Sequence, residues 1–367
     1  MKKITFLVLA VAVLLCSCND NKANQANADL HQISKNHYFV HEVLANGNLL
    51  ELYTDESGSV IKRGTVIDEE SGEAAVEIDL SPFQLSNRLR VQKLKSGFCI
   101  IDRKLLFFNL DGSLIGEEEL PKNRYPNTEC AVSDDMTKMA YIMKEEVNEE
   151  DVLTLSILNF KDGSVEKTEA LNAGAGKPSY YQSLKFTGKD DKILFFGVTN
   201  PTPDVCHDCY GWIDLHTKTI HMFEDENIEV EISGDSIWVY DVSVEKGAKS
   251  SGVVRQINVT NNVDKKYTLK NANESQCLRD TDDENCFITM LPDEEEKEVT
   301  FRLYKGGAFE KEAVFNFDDP ESFEASTTGS AEFSYSTKAD KVYFNYYTYA
   351  DKEDWGTVIL AGIYLGE

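Results

Sequence analysis

SLKFTGKDDKILFFGVTNPTPDVCHDCYGWIDLHTKTIHMF, Ser183 to Phe223, reads as four short apolar runs: Leu184 to Phe186, Ile193 to Val198, Tyr210 to Leu215 and Thr219 to Phe223. Each has the length of a strand, and the turn-forming clusters TGKDD, NPTPD and HTK separate them. Aromatic and β-branched residues dominate the runs, which predicts a four-stranded antiparallel meander. Such a meander cannot bury both of its faces alone. A similar grammar returns at Glu129 to Val165 and at Glu332 to Leu365. Repetition at about 40 to 50 residues is the signature of a β-propeller, in which each sheet buries its faces against its neighbours.

The rest of the chain extends the pattern. Tyr38 to Leu44 and Leu49 to Thr54 flank Ala45-Asn46-Gly47-Asn48, and Asn-Gly is a strong hairpin signal. Val60 to Asp68 and Ala74 to Leu80 follow, then the compact unit Arg90 to Leu120, the unit Ile228 to Leu269, and a unit running through Cys286 to Phe317. The expected fold is all-β, a propeller of six or seven antiparallel blades; Tyr38 to Leu80 is either a blade or a set of closing strands. The final unit, Phe333 to Ser336, Val342 to Tyr349 and Val358 to Leu365, is one strand short of four. An exposed edge there is avoided by borrowing a strand from the other terminus, and Tyr38 to Leu44, the first strand-like run, is the expected donor.

Gly97 to Glu117, GFCIIDRKLLFFNLDGSLIGE, resembles the strand, turn, strand, turn repeat of the six-bladed β-propeller lipoproteins of Bacteroidetes. Ser133-Asp134-Asp135-Met136-Thr137-Lys138-Met139-Ala140-Tyr141 resembles the TolB-type propeller repeat, in which Ser-x-Asp-Gly leads into an apolar strand, but Met136 stands in place of the glycine. The first resemblance implies six blades, whereas grouping the strands gives seven. Neither implies a catalytic residue, because propeller families share blades and not activities.

At the N-terminus, Lys2 and Lys3 precede an apolar run from Ile4 to Leu15 that is too short for a mature transmembrane helix. Residues 1–17 therefore read as a signal peptide. Leu15-Cys16-Ser17-Cys18 resembles the bacterial lipobox, with the small Ser17 before Cys18, the expected site of lipidation. Residues 18–36, polar and Asn-rich, read as a flexible tether, and 37–367 as one propeller domain. A lipid-anchored envelope protein follows, periplasmic or at the cell surface, with the outer membrane favoured and the membrane reached through the anchor. The formal charge of −27 disfavours nucleic acid as a partner.

Six further cysteines, Cys99, Cys130, Cys206, Cys209, Cys277 and Cys286, form an even set in an exported chain, so disulfides are the default expectation. Cys206-His207-Asp208-Cys209, placed in the longest loop of its unit, reads as a local disulfide. The alternatives are a metal site completed by Cys277 and Cys286, or a redox dithiol. Arg279 to Asn285 alternates oxygen ligands but fails the calcium-loop template, which leaves a solvated acidic loop and no expected metal. Leu171 to Tyr181 lacks the Gly-Lys-Ser/Thr of a phosphate loop. Asp235-Ser236-Ile237 resembles a short O-glycan acceptor of Bacteroidetes. No nucleophile elbow or zincin motif is present, His216 and His221 flank a hairpin, and no cofactor or catalytic residue is expected.

Two functions remain open. The first is a binding or scaffold propeller for a glycan, peptide or protein, with Tyr125, Tyr180, Tyr181 and Trp355 as candidate stacking residues. The second is a propeller enzyme, such as a polysaccharide lyase or hydrolase, with a cluster of His, Arg and acids at the central channel.

Overall fold

The computed structural model describes residues 29–32 and 39–365, apart from 56–58, 69–72, 125–128, 148–149, 171–179, 203–204, 226–227, 242–250, 272–277, 282, 284, 319, 328–332 and 349–356. Seven antiparallel sheets follow one another along the chain. Blade 1 is Phe39–Val43, Leu49–Thr54, Val60–Asp68 and Glu73–Asp79, with Leu85–Ser86 added beside Val60 and Ile61. Blades 2 to 5 start at the strands Arg90–Leu94, Ala131–Val132, Tyr180–Phe186 and Ile228–Ser233. Blade 6 starts at Leu278–Asp280, and blade 7 at Phe333–Ser336. First strands of adjacent blades touch around the ring, so the first strand of each blade is its innermost.

The unit from Ser183 to Phe223 is blade 4, built from Tyr180–Phe186, Lys192–Thr202, Val205–Asp214 and Ile220–Asp225. Tyr38 to Leu80 is a full blade, so the grouping by strands is right and the six blades implied by family resemblance are not present.

The reason for a ring lies in the blade faces. The inner strands of each blade bury apolar residues on both faces of the sheet, and the buried residues fall into seven clusters among the described residues. Each fills one gap between successive blades. Between blades 6 and 7, for example, Phe301 meets Phe333 and Phe344 at 5.7 and 5.1 Å between ring centres. The gap between blades 7 and 1 is the poorest in apolar groups: Val43, Leu49, Ile67 and Tyr343, with Tyr53 at the margin. Polar ties supplement it. Ser336 Oγ donates to the Gly47 carbonyl at 3.1 Å, and the buried His41 meets Asn345 and the Tyr343 backbone.

Ring closure departs from expectation in one respect. Blade 7 does borrow its fourth strand from the N-terminal side, but the donor is Asp29–Gln32, antiparallel to Thr357–Tyr364 with Asp29 opposite Gly362 and Gln32 opposite Ile359. Phe39–Val43 is instead the innermost strand of blade 1, paired with Leu49–Tyr53. The donor thus lies inside the stretch read as a tether. An outermost strand needs only its backbone to pair, so a polar DLHQ segment serves where an inner strand requires apolar side chains.

Candidate functional site

One hydroxyl residue recurs at the end of the innermost strand in five blades: Ser133, Thr187, Ser233, Thr281 and Ser336, all buried. Its side chain organises the turn that follows. Ser133 Oγ donates to Asp135 Oδ1 at 2.6 Å and accepts from the Lys138 amide at 3.0 Å. Thr187 Oγ1 donates to Asp191 at 2.9 Å, and Thr281 Oγ1 accepts from the Asp283 amide at 3.1 Å. Within this frame Met136 takes φ = 58°, the left-handed conformation for which the TolB-type repeat uses glycine. The turn survives the substitution because Ser133 and Asp135 satisfy its amides.

These turns share one face of the ring, and those of blades 3 to 6, with residues of blades 1 and 2, surround a cavity of about 320 Å³ at the mouth of the central channel. Blade 2 contributes Lys93, Leu94 and Lys95, blade 3 Asp134, and blade 4 Lys185, Phe186 and Gly188; Ala45, Ser233 to Asp235 and Thr281 complete the wall. Most of the charges are tied across blade boundaries. Lys93 pairs with Glu42 of blade 1 at 3.2 Å. Lys95 reaches Asp134 through its backbone amide and its ammonium, each at 3.3 Å. Asp235 Oδ1 accepts from the Gly188 amide at 2.7 Å, which links blades 4 and 5. Lys185 Nζ differs, meeting among the described residues only the Ile232 carbonyl, at 3.5 Å. A Cβ on Gly188 would come within 2.4 Å of Lys95 Nζ, the movable end of an exposed side chain that crosses the space above it.

No protein-family model matches the chain, and no curated protein matches it either. Solved structures do. Oligogalacturonate lyase from Vibrio parahaemolyticus aligns at TM-score 0.54 and 11% identity, over 93% of this chain and 94% of that one. Hydrazine synthase from Kuenenia stuttgartiensis aligns at 0.47 and 8%, over 88% and 95%, and TolB from Acinetobacter baumannii at 0.40 and 10%, over 92% and 79%. What the chain shares with the lyase is the propeller fold. At these identities the likeness is one of architecture alone.

Several sequence expectations are revised by the structure. Cys206 and Cys209 lie in the strand Val205–Asp214 and not in a loop. Residues three apart on a strand point to opposite faces, too far apart to be bridged. Cys209 is a buried free thiol, as are Cys99, Cys130 and Cys286. The disulfides expected of these four are therefore absent from the structure. Burial pushes the Cys209 and Cys286 thiols up to about 12 and those of Cys99 and Cys130 upward as well, which disfavours the thiolate that metals and redox chemistry require. Cys209 sits in blade 4 and Cys286 in blade 6, so the four-cysteine metal site does not assemble. Cys18, Cys277, Tyr125 and Trp355 lie outside the described residues, as does the Cys206 side chain.

Tyr181 is fully buried, edge-on to Phe195 at 5.3 Å, and is a core residue unavailable for stacking on a ligand; Tyr180 is half-buried in the same strand. Ser236 is likewise buried, accepting hydrogen bonds from Gln256 and Asn258 at 3.1 and 3.0 Å, so it is no glycan acceptor. Of the stretch from Arg279 to Asn285, Arg279 and Asp280 end the innermost strand of blade 6, and Thr281 after them lines the cavity. His216 is exposed in its turn, and His221 is exposed and stacked on Trp212 at 4.7 Å. Sequence reasoning named Asp134 and Asp235 for other reasons and missed Lys93, Lys95 and Lys185. Superimposing the turns after each innermost strand would have aligned them all.

Proposed function

We propose that this chain is a lipid-anchored binding protein of the cell envelope, tethered through Cys18, whose ligand enters the channel mouth. The observation carrying this reading is the 320 Å³ cavity, lined by six blades of which five direct polar groups into it, a size within the range of small-molecule sites, about 300 to 1,000 Å³. An enzyme of the kind envisaged from sequence would need His, Arg and acids converging there. Among the described lining residues the cations are lysines, and neither His nor Arg is present. The location rests on the lipobox-like Leu15 to Cys18 and on the tether after it, with the outer membrane favoured.

Two experiments test the reading. Cys18→Ala should move the protein from the membrane to the soluble fraction; unchanged membrane retention would refute the anchor. Screening the wild-type chain and Ala45→Trp, which fills the mouth from an exposed position, against glycan and peptide libraries should find ligands that bind the first and not the second. Ligands indifferent to the filled mouth would place recognition elsewhere. Formation of unsaturated products from a polyuronide, lost in Ala45→Trp, would replace the binding reading with that of a lyase.

A further inference from the structure

We infer that the channel mouth is a seat for a carboxylated sugar, with Lys185 as the group that takes the carboxylate. The inference rests on the reading of the mouth as a binding site. A chain with 64 acidic and 37 basic residues would be expected to line a cavity with acids, yet three lysines face two aspartates here. The charges are also unevenly committed. Asp134 is engaged twice by Lys95, and Asp235 by the Gly188 amide, whereas among the described residues the Lys185 ammonium has a single contact, to a backbone carbonyl at 3.5 Å. An ammonium has three donors, so Lys185 keeps capacity for an anionic acceptor beside the buried apolar side chains of Phe186 and Leu94.

The aspartates decide what kind of anion. A compact inorganic anion would meet repulsion from Asp134 and Asp235, but sugar hydroxyls donate to carboxylates while the ring's C–H face packs on an apolar side chain. Thr281 and Ser233 add hydroxyl groups at the same wall. A polyhydroxylated carboxylate therefore satisfies the lysine and the aspartates together, and a cavity of 320 Å³ accommodates one sugar residue with its nearest substituents.

The test is calorimetric titration of the full chain, in detergent, with methyl glucuronoside, methyl glucoside and sulfate. The glucuronoside should bind at least tenfold tighter than the glucoside, since a charge-assisted hydrogen bond contributes about 1.5–3 kcal/mol. Lys185→Met, which keeps the length of the side chain, should lose that tenfold preference with an unchanged circular dichroism spectrum, and Lys161→Met, exposed at the periphery of blade 3, should retain it. Equal binding of both sugars overturns the inference while leaving the mouth as a neutral-sugar site. Sulfate competing as well as the glucuronoside overturns it in favour of a simple anion hole. No binding of the glucuronoside overturns it too, and the wider reading then stands or falls with the library screen on Ala45→Trp.

Discussion

Removing the closing strand should destabilise the whole ring, because Asp29–Gln32 supplies the outermost strand of blade 7 from the opposite end of the chain. The perturbation is a chain shortened to begin at Ile33, compared with one beginning at Asn19. Four residue pairs, from Asp29 with Gly362 to Gln32 with Ile359, correspond to about four backbone hydrogen bonds. Each is worth a net of about 0.5–1.5 kcal/mol, or about 2–6 kcal/mol together. Ordering four residues costs about 1 kcal/mol each, about 4 kcal/mol in all, so the net loss is expected to reach about 2 kcal/mol, with the bonds at the strong end of their range. That is a large fraction of a typical stability of about 5–15 kcal/mol, and it acts where the apolar gap between blades 7 and 1 is poorest. Urea unfolding followed by far-ultraviolet circular dichroism measures it. The chain from Ile33 should unfold at lower urea and, with Thr357–Tyr364 left as an open edge, associate at high concentration. If the chains from Ile33 and Asn19 agree to within about 0.5 kcal/mol, the closing role of this strand is refuted.

Three further outcomes are expected. Burial lowers the His41 pKa to about 4, so the unfolded chain takes up this proton first; stability should fall as pH drops from about 6.5 to about 4, by about 3 kcal/mol, and His41→Gln should flatten that limb of the profile. Arg255, held by Asp264 through two bonds of 2.9 and 2.8 Å and lying 4.7 Å from the Phe223 ring, joins blades 4 and 5; Arg255→Met should cost about 1–3 kcal/mol in chemical denaturation, against less than about 1 for Lys167→Met, whose exposed pair with Glu145 stays within blade 3. Cys99, Cys130, Cys209 and Cys286 should react with a thiol reagent only after denaturation, and mass spectrometry of the alkylated, unreduced protein should find all four modified; any one of them in a disulfide would contradict the structure.

Strand pattern made most of the fold legible. In blade 4 the apolar runs around Leu184, Ile193, Tyr210 and Ile220 alternate locally, and the turns TGKDD and HTK punctuate them, so the blade follows from neighbouring residues alone. For Tyr38 to Leu80 the same reading left a blade and a set of closing strands both open, and the structure decided for a blade. The failures of that reading are equally physical. Val205–Asp214 reads as a loop at its start because Pro203, Asp204 and the CHDC run look like turn chemistry, yet pairing with Lys192–Thr202 begins the strand at Val205 and carries it through the CHDC run.

What the amino-acid sequence determined by itself was the existence and order of the blades, since strand propensity and turn residues act over a few positions. Only the tertiary structure decided which segment closes the ring, because Asp29–Gln32 pairs through backbone groups that carry no side-chain signature, with a partner at the far end of the chain. The tertiary structure also decided the site: Lys93, Lys95, Asp134, Lys185, Asp235 and Thr281 lie at the ends of the innermost strands or in the turns after them, scattered over five blades, and they meet because a closed ring turns the same end of every innermost strand toward one axis.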